Sequence, residues 1–286
     1  MSAAPRDHHP APPINTFVSV IVPMYNEGDS ASEKLADLSD TLALSFADFE
    51  VIAISDGSTD GTNASLSKFS DSSRVKIRIR SENRGKGATL REGFSCSCGD
   101  VVMFIDGGME LSPANLRIFV GLLDLYGADI VIGSKRHPQS QIIYPWYRRL
   151  LSRMFQELIR FLFKLNVTDT QVGIKAMRRE VVEAVLPHLN TTGYAFDLEL
   201  LAVSSRLGFR RVLEAPISLD YYRFGSRSTV ADVTHVFRIG FQLARDTARV
   251  WHRVRGITMR VNEQTSGTGI IETSERQPSA APKRAS

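Results

Sequence analysis

Cysteine is nearly absent from this sequence. Cys96 and Cys98 are its two thiols, one residue apart, too close for an ordinary structural disulfide and without the second pair that a zinc site needs. They read as reduced thiols of a cytosolic chain. Long apolar runs are missing too. No stretch reaches the roughly 18 apolar residues of a membrane span, and the first residues show no signal-peptide apolar core. No Gly-x-Gly-x-x-Gly follows the first apolar run and no Walker sequence occurs, which disfavours a dinucleotide dehydrogenase and a P-loop enzyme. Nor does a nucleic-acid-binding motif accompany the basic residues, so no nucleic-acid partner is expected. What is left is a soluble chain able to touch a membrane surface. Its 43% hydrophobic content supports a real core, and 286 residues suffice for one large α/β domain or two small ones.

The residues that are present fall into ordered blocks. Residues 1–16 are rich in Pro, Ala and His (Pro5, His8, His9, Pro10, Pro12, Pro13), a composition that predicts a disordered leader rather than a metal-binding tract. Phe17–Val22, Glu50–Ser55, Val101–Ile105 and Asp129–Gly133 read as buried strands. Val75–Arg80 alternates with a period of two and reads as a more exposed strand. Helices are expected from Ser30 or Ser32 to Phe46, after Thr62, from Ala88 to Cys96, and from Ser112-Pro113, with Pro at the first helical position. Strand–helix alternation of this kind implies a parallel sheet with helices on both faces.

The second half is more basic. A helix is expected over 145–165, with apolar Leu150, Leu151, Met154, Phe155, Leu158, Ile159, Leu162 and Phe163. Its other face carries Arg148, Arg149, Arg153, Arg160 and Lys164, opposed only by Glu157. A short strand and a helix from about Arg179 follow, then a helix bearing Phe196–Leu201 and an extended segment Val212–Leu219 interrupted by Pro216. A final basic amphipathic helix is expected over 230–255. Residues 260–286 read as a disordered tail, so the folded domain should span 17–259.

Chemistry gathers where the strands end. Ligands of open α/β sheets sit beyond the carboxyl ends of the strands, and four early strands run into Tyr25–Glu27, Asp56–Asp60, Asn83–Gly87 and Asp106–Glu110. Any one of these loops alone is an ordinary surface turn. Four of them on one sheet edge are better explained by nucleotide binding. Carboxylates at Glu27 and Asp56 can accept from the NH groups of a base or from ribose hydroxyls. Arg84 and Lys86 can meet phosphate, beside glycines whose backbone amides can do the same. Asp106 can hold a divalent cation bridging two phosphates.

Val20-Ile21-Val22-Pro23-Met24-Tyr25-Asn26-Glu27, Ser55-Asp56-Gly57-Ser58-Thr59-Asp60-Gly61-Thr62 and Asn83-Arg84-Gly85-Lys86-Gly87 resemble the family 2 glycosyltransferases of GT-A fold, which implies a mostly parallel sheet flanked by helices, with amphipathic helices toward the C-terminus. The resemblance continues through Gly133-Ser134-Lys135-Arg136, the basic helix, Asp169-Thr170-Gln171-Val172-Gly173 and Phe196-Asp197-Leu198-Glu199-Leu200, roughly residues 17–255. This longer pattern is similar to that of dolichol-phosphate mannose synthases and dolichyl-phosphate glucosyltransferases. It implies that Pro23, Tyr25, Glu27 and Asp56 hold the nucleoside, that Arg84 and Lys86 lie near the donor, and that Asp106 is a metal ligand and the catalytic centre. In the mannose synthases the fourth strand leads into Asp-x-Asp-x-Gln, with metal ligands at the first, third and fifth positions. Here those positions are Asp106, Gly108 and Glu110. The third-position carboxylate is missing and the fifth gains a charge. Asp106 and Glu110, completed by diphosphate and water, are the expected ligands of Mg²⁺ or Mn²⁺.

The resemblance also implies an acceptor. Arg148 and Ser152, one helical turn apart, would hold the phosphate of a polyprenyl lipid, helped by Lys135 and Arg136, with Gln171 in the catalytic set. Arg227, in a loop with Arg223 and Ser226, is a candidate for closing over the donor diphosphate; a plain surface loop is nearly as good a reading. Asp197 and Glu199, two apart on a helix, do not share a face, so one can reach the site while the other is structural. The implied reaction is inverting transfer of mannose or glucose from GDP-mannose or UDP-glucose to a polyprenyl phosphate. The chain would work peripherally at the cytoplasmic membrane face or through a membrane-protein partner. A basic helix simply packed on the sheet explains its periodicity equally well. Two alternatives stay open: a soluble acceptor, or a catalytically weakened subunit that binds nucleotide sugar.

Overall fold

The computed structural model of the chain describes residues 12–140, 156–217 and 233–257, the side chains of 233–243 excepted. Arg148, Ser152 and the loop with Arg223, Ser226 and Arg227 lie outside the described residues, as do most of the expected leader and the whole expected tail. Strands β1 (Val18–Met24), β2 (Phe49–Asp56), β3 (Val75–Arg80), β4 (Val101–Ile105), β5 (Ile130–Ser134), β6 (Ile174–Arg178) and β7 (Val212–Pro216) form one sheet in the order β3-β2-β1-β4-β6-β5-β7. All neighbours are parallel except β6, which runs antiparallel to both β4 and β5.

The helices are α1 (Ala31–Ser45), α2 (Thr62–Leu66), α3 (Lys86–Cys96), α4 (Asn115–Tyr126), α5 (residues 156–163), α6 (Arg179–Val185), α7 (Phe196–Arg206) and α8 (Val233–Arg255). Successive side chains of a strand point to opposite faces, and the central strands use both faces. Val18, Val20, Val22, Val51, Ala53, Met103 and Ile105 pack with α1 and α4. Ile21, Ile52, Ile54, Val102 and Phe104 pack with α3, α6, α7 and the described ends of α5 and α8. Helix α3 lies so close on β1 that a Cβ on Gly93 would fall 2.3 Å from Ile21.

The structure refines the sequence expectation at three places. Within the mostly parallel sheet β6 runs antiparallel, since β5 ends and β6 begins at the same sheet edge, with Ile132 opposite Lys175. Ile174 therefore pairs with Ile105, and the start of β6 meets the end of β4. α4 begins at Asn115 rather than at Pro113, since Asn115 and Leu116 donate three residues back to Ser112 and Pro113 in a tighter turn. The apolar residues of α5 divide: Ile159 and Phe163 are buried, whereas Leu158 and Phe161 face solvent, Phe161 with 81% of its surface exposed.

Candidate active site

Because β1, β2, β3 and β4 are parallel and in register, their carboxyl ends share one edge. The first two loops are fastened to each other. Asn26, in the left-handed region at φ 54°, donates its amide to Ser58 Oγ, and Thr59 donates to Asn26 Oδ1. Asp60 accepts from the Gly28 amide and from the amide and hydroxyl of Thr62. Burial works against its ionisation, but these hydrogen bonds hold the Asp60 carboxyl below the ordinary carboxylate range.

Asp56 lies deeper than a ligand-facing carboxylate would. Its side chain is 5% exposed and takes Arg80 at 3.0 Å. It also accepts from the Arg84 amide at 3.0 Å and from the Gly85 amide at 2.7 Å. A carboxylate has about four acceptor positions, so Asp56 chiefly holds the Asn83–Gly85 loop. Glu27 is ion-paired with Lys34. Tyr25 is about half exposed at the mouth, Arg84 is exposed, and Pro23 accepts the Gly107 amide at 3.2 Å.

Asp106 stands at the centre of the edge with 51% of its side chain exposed. Its amide donates to Gly173 O at 2.9 Å. A Cβ on Gly173 would lie 1.8 Å from Asp106 Oδ2, so only glycine leaves the carboxylate its place. Lys86, the first residue of α3, brings its ammonium 2.7 Å from Asp106 Oδ1 and 3.3 Å from Asp197 Oδ2. Behind them the fully buried Lys175 reaches Asp197 Oδ1 and donates to Val172 O. Burial disfavours the charge on Lys86, yet Asp106 and Asp197 hold its pKa well above the ordinary lysine value. Burial also opposes ionisation of Asp197, and Lys175 with Lys86 overcomes it; on Lys175 burial outweighs the pull of Asp197 and lowers its pKa from the ordinary lysine value. Asp197 thus faces the site. Glu199 faces away from it, accepting from the Asn190 and Thr191 amides and pairing with Arg253 of α8.

Gly108 and Glu110 follow Asp106 on the same loop, both partly buried. The position of a Cβ on Gly108 is open, its nearest neighbour being Glu110 Cγ at 4.0 Å. Across the mouth, Lys135 and Arg136 follow β5, and Asp169 accepts from the amides of Lys135 and Gln171. Burial pushes the Asp169 carboxyl above its usual range, against the pull of Lys135. Glu214 of β7 braces the same loop through the Thr168 hydroxyl and the Thr168 and Asp169 amides. The structure therefore gathers Lys86, Asp106, Gln171 and Lys135 around the ends of β3, β4, β5 and the start of β6. Sequence reasoning missed Lys175, although a lone lysine inside the apolar run Ile174–Met177 was a usable signal.

The family model for Glycosyl transferase family 2 matches residues 19–186. The dolichyl-phosphate beta-glucosyltransferase of Dictyostelium discoideum is 28% identical over 255 residues, 84% of this chain and 75% of that one. The polyprenol monophosphomannose synthase of Mycolicibacterium smegmatis is 30% identical over 213 residues, 72% of this chain and 78% of that one. Among solved structures, glucosyl-3-phosphoglycerate synthase from Mycobacterium tuberculosis, in complex with Mn²⁺, UDP-glucose and phosphoglyceric acid, superimposes with a TM-score of 0.62 at 20% identity. That match covers 83% of this chain and 80% of the other and carries the fold; the same enzyme is also known with Mg²⁺ and UDP. The chain belongs to glycosyltransferase family 2 and has the GT-A fold.

Proposed function

We propose that this glycosyltransferase moves a hexose, mannose or glucose, from GDP-mannose or UDP-glucose to a polyprenyl phosphate, inverting the anomeric configuration. The observation that carries the reading is the cluster of Arg84, Lys86 and Asp106 at the carboxyl edge of the sheet, in a chain whose relatives are named for dolichyl- and polyprenol-phosphate substrates. Pro23, Tyr25, Glu27 and Asp56 line or support the nucleoside end. Lys86 and Arg84, with Arg227, meet the diphosphate. Lys135, Arg136 and Gln171, with Arg148 and Ser152, meet the acceptor phosphate.

The donor atoms fit a hard divalent cation. Asp106 offers a half-exposed carboxylate, Glu110 a second one on the same loop, and Gly108 leaves space between them. Among the described residues no group of three or more His, Cys, Asp or Glu converges, so diphosphate and water oxygens would complete the set. When bound, Mg²⁺ or Mn²⁺ would neutralise charge gathering on the departing diphosphate. The acceptor phosphate is anionic at neutral pH and attacks without a strong base. The chain's own contribution is to orient that oxygen behind the anomeric carbon and to keep cations beside the leaving group.

Among the described residues no helix is long and apolar enough to cross a membrane. Exposed Leu158 and Phe161 on α5 support peripheral contact with a bilayer, which we place at its cytoplasmic face, alone or with a membrane-protein partner. Incubation with a short polyprenyl phosphate, Mg²⁺ and each nucleotide sugar in turn, followed by mass spectrometry, tests the proposal. A polyprenyl-phosphate hexose formed from one donor is the expected product. Sugar transferred to a soluble acceptor instead would overturn the lipid assignment, and binding of donor without any product would mark a binding subunit.

A further inference from the structure

Four ionisable side chains stand in a row beneath the site: Asp106, Lys86, Asp197 and Lys175. Their exposure falls steadily from 51% to 17%, 4% and 0%. Phe104 lies alongside, with the ammonium groups of Lys86 and Lys175 at 5.5 and 5.1 Å from its ring centroid. Lys175 is opposite Phe104 in the β4–β6 register, so its depth is set by the sheet. A fully buried lysine is expensive, and an apolar residue of similar volume commonly does as well or better for stability. Lys86 is also oddly placed for stability, since it opens α3, where the helix dipole favours anions. Both lysines are accounted for by the carboxylates that they serve.

Lys86 is shared by two carboxylates that compete for it. Asp197 is buried, and its charge is unscreened by water. Asp106 is half exposed and can be hydrated. With no other cation present, the buried carboxylate would win the ammonium. The distances run the other way, 2.7 Å to Asp106 against 3.3 Å to Asp197, because Asp197 already has Lys175 at 2.5 Å. We propose that Lys175 is a positioning residue that neutralises Asp197 and so aims Lys86 at Asp106, making Lys86 the internal counter-ion that a divalent cation must displace. A donor diphosphate draws Lys86 away and frees Asp106, so nucleotide and cation bind cooperatively, each favouring the other to the same degree. The inference rests on the reading of Asp106 as a cation ligand and of Lys86 as a diphosphate contact.

The test is Mn²⁺ binding to metal-free protein, followed by electron paramagnetic resonance with and without UDP or GDP. In Lys175→Met, Asp197 keeps Lys86 for itself. Mn²⁺ alone should then bind about tenfold more tightly, the usual size of an effect on a metal ligand's supporting partner, while the nucleotide binds more weakly. In Asp197→Asn, Lys175 repels Lys86 toward Asp106, and Mn²⁺ should bind more weakly. The double variant removes both charges and should return Mn²⁺ affinity to the wild-type value. Opposite shifts with rescue are not produced by general loosening of the fold. If Lys175→Met does not fold, Asp197→Asn and the double variant carry the same test. Wild-type binding of Mn²⁺ and nucleotide with unchanged Mn²⁺ affinity in the variants, or with shifts all of one sign, overturns the positioning role alone. Failure of every protein to bind Mn²⁺ and either nucleotide overturns the functional reading and this inference together.

Discussion

Two glycines near Asp106 have opposite meanings. Gly173 touches the carboxylate, and a Cβ there would lie 1.8 Å from Asp106 Oδ2. Gly173→Ala should therefore push a half-exposed side chain aside with little change in melting temperature, while turnover falls about a hundredfold, as small misplacements of reacting groups do. Gly108 touches almost nothing, so Gly108→Asp should fold normally and supply another hard oxygen ligand. Calorimetric titration should show tighter Mn²⁺ binding; unchanged affinity would mean that the cation does not sit beside this loop. Asp106 and Lys86 were legible in the sequence because each follows a short apolar run or a glycine-rich turn. The internal occupation of Asp56 was not. It depends on the register that sets Arg80 opposite Asp56 across β2 and β3, and on the Arg84 and Gly85 amides folding back onto it.

The elements are joined by carboxylates that face inward rather than toward ligand. Glu50 of β2 accepts from Ser19 of β1, Lys76 of β3 and the Cys98 amide after α3. Burial pushes its carboxyl up, but these donors outweigh burial and hold its pKa below the ordinary 4.5. Glu92 of α3 is lowered in the same way by Arg80 and Arg78 against burial. A lowered folded-state pKa means that stability is whole above the unfolded value near 4.5 and is lost as pH falls through the folded value. Urea denaturation from about pH 6 to about pH 3 should show that loss, and Glu50→Gln should flatten part of it. Helix α8 is anchored by Arg253 on Glu199 and Thr191. Arg253→Met leaves Glu199 its two amide donors, so the cost should be about 1–3 kcal/mol, with faster hydrogen exchange at Asn190 and Thr191. β1, β2 and β4 were legible from their apolar runs, which are buried on both faces, and β3 from its period-two alternation of apolar and basic residues. The direction of β6 was not, because it depends on the path from residue 135 to residue 173, and nothing in strand periodicity records direction. The split of α5, with Ile159 inward and Phe161 outward, depends on what packs above it.

Over the described residues the molecule is a sheet with a packed layer on each face and the candidate site at one edge, where the ends of β1 to β5 meet the start of β6. The order of motifs along the chain made that edge and the family legible, since each motif lies at a strand end. The acceptor is less directly written: the basic positions Lys135 and Arg136 and the exposed Leu158 and Phe161 suit a lipid carrying a phosphate, but each is also an ordinary surface residue. The most direct test is therefore the rate of nucleotide release by the purified chain, with Mg²⁺ and the preferred nucleotide sugar, as a short polyprenyl phosphate is added. Release that rises with the lipid phosphate, saturates, and disappears in Asp106→Ala is the predicted result. Release at the same rate without the lipid would contradict the proposed acceptor.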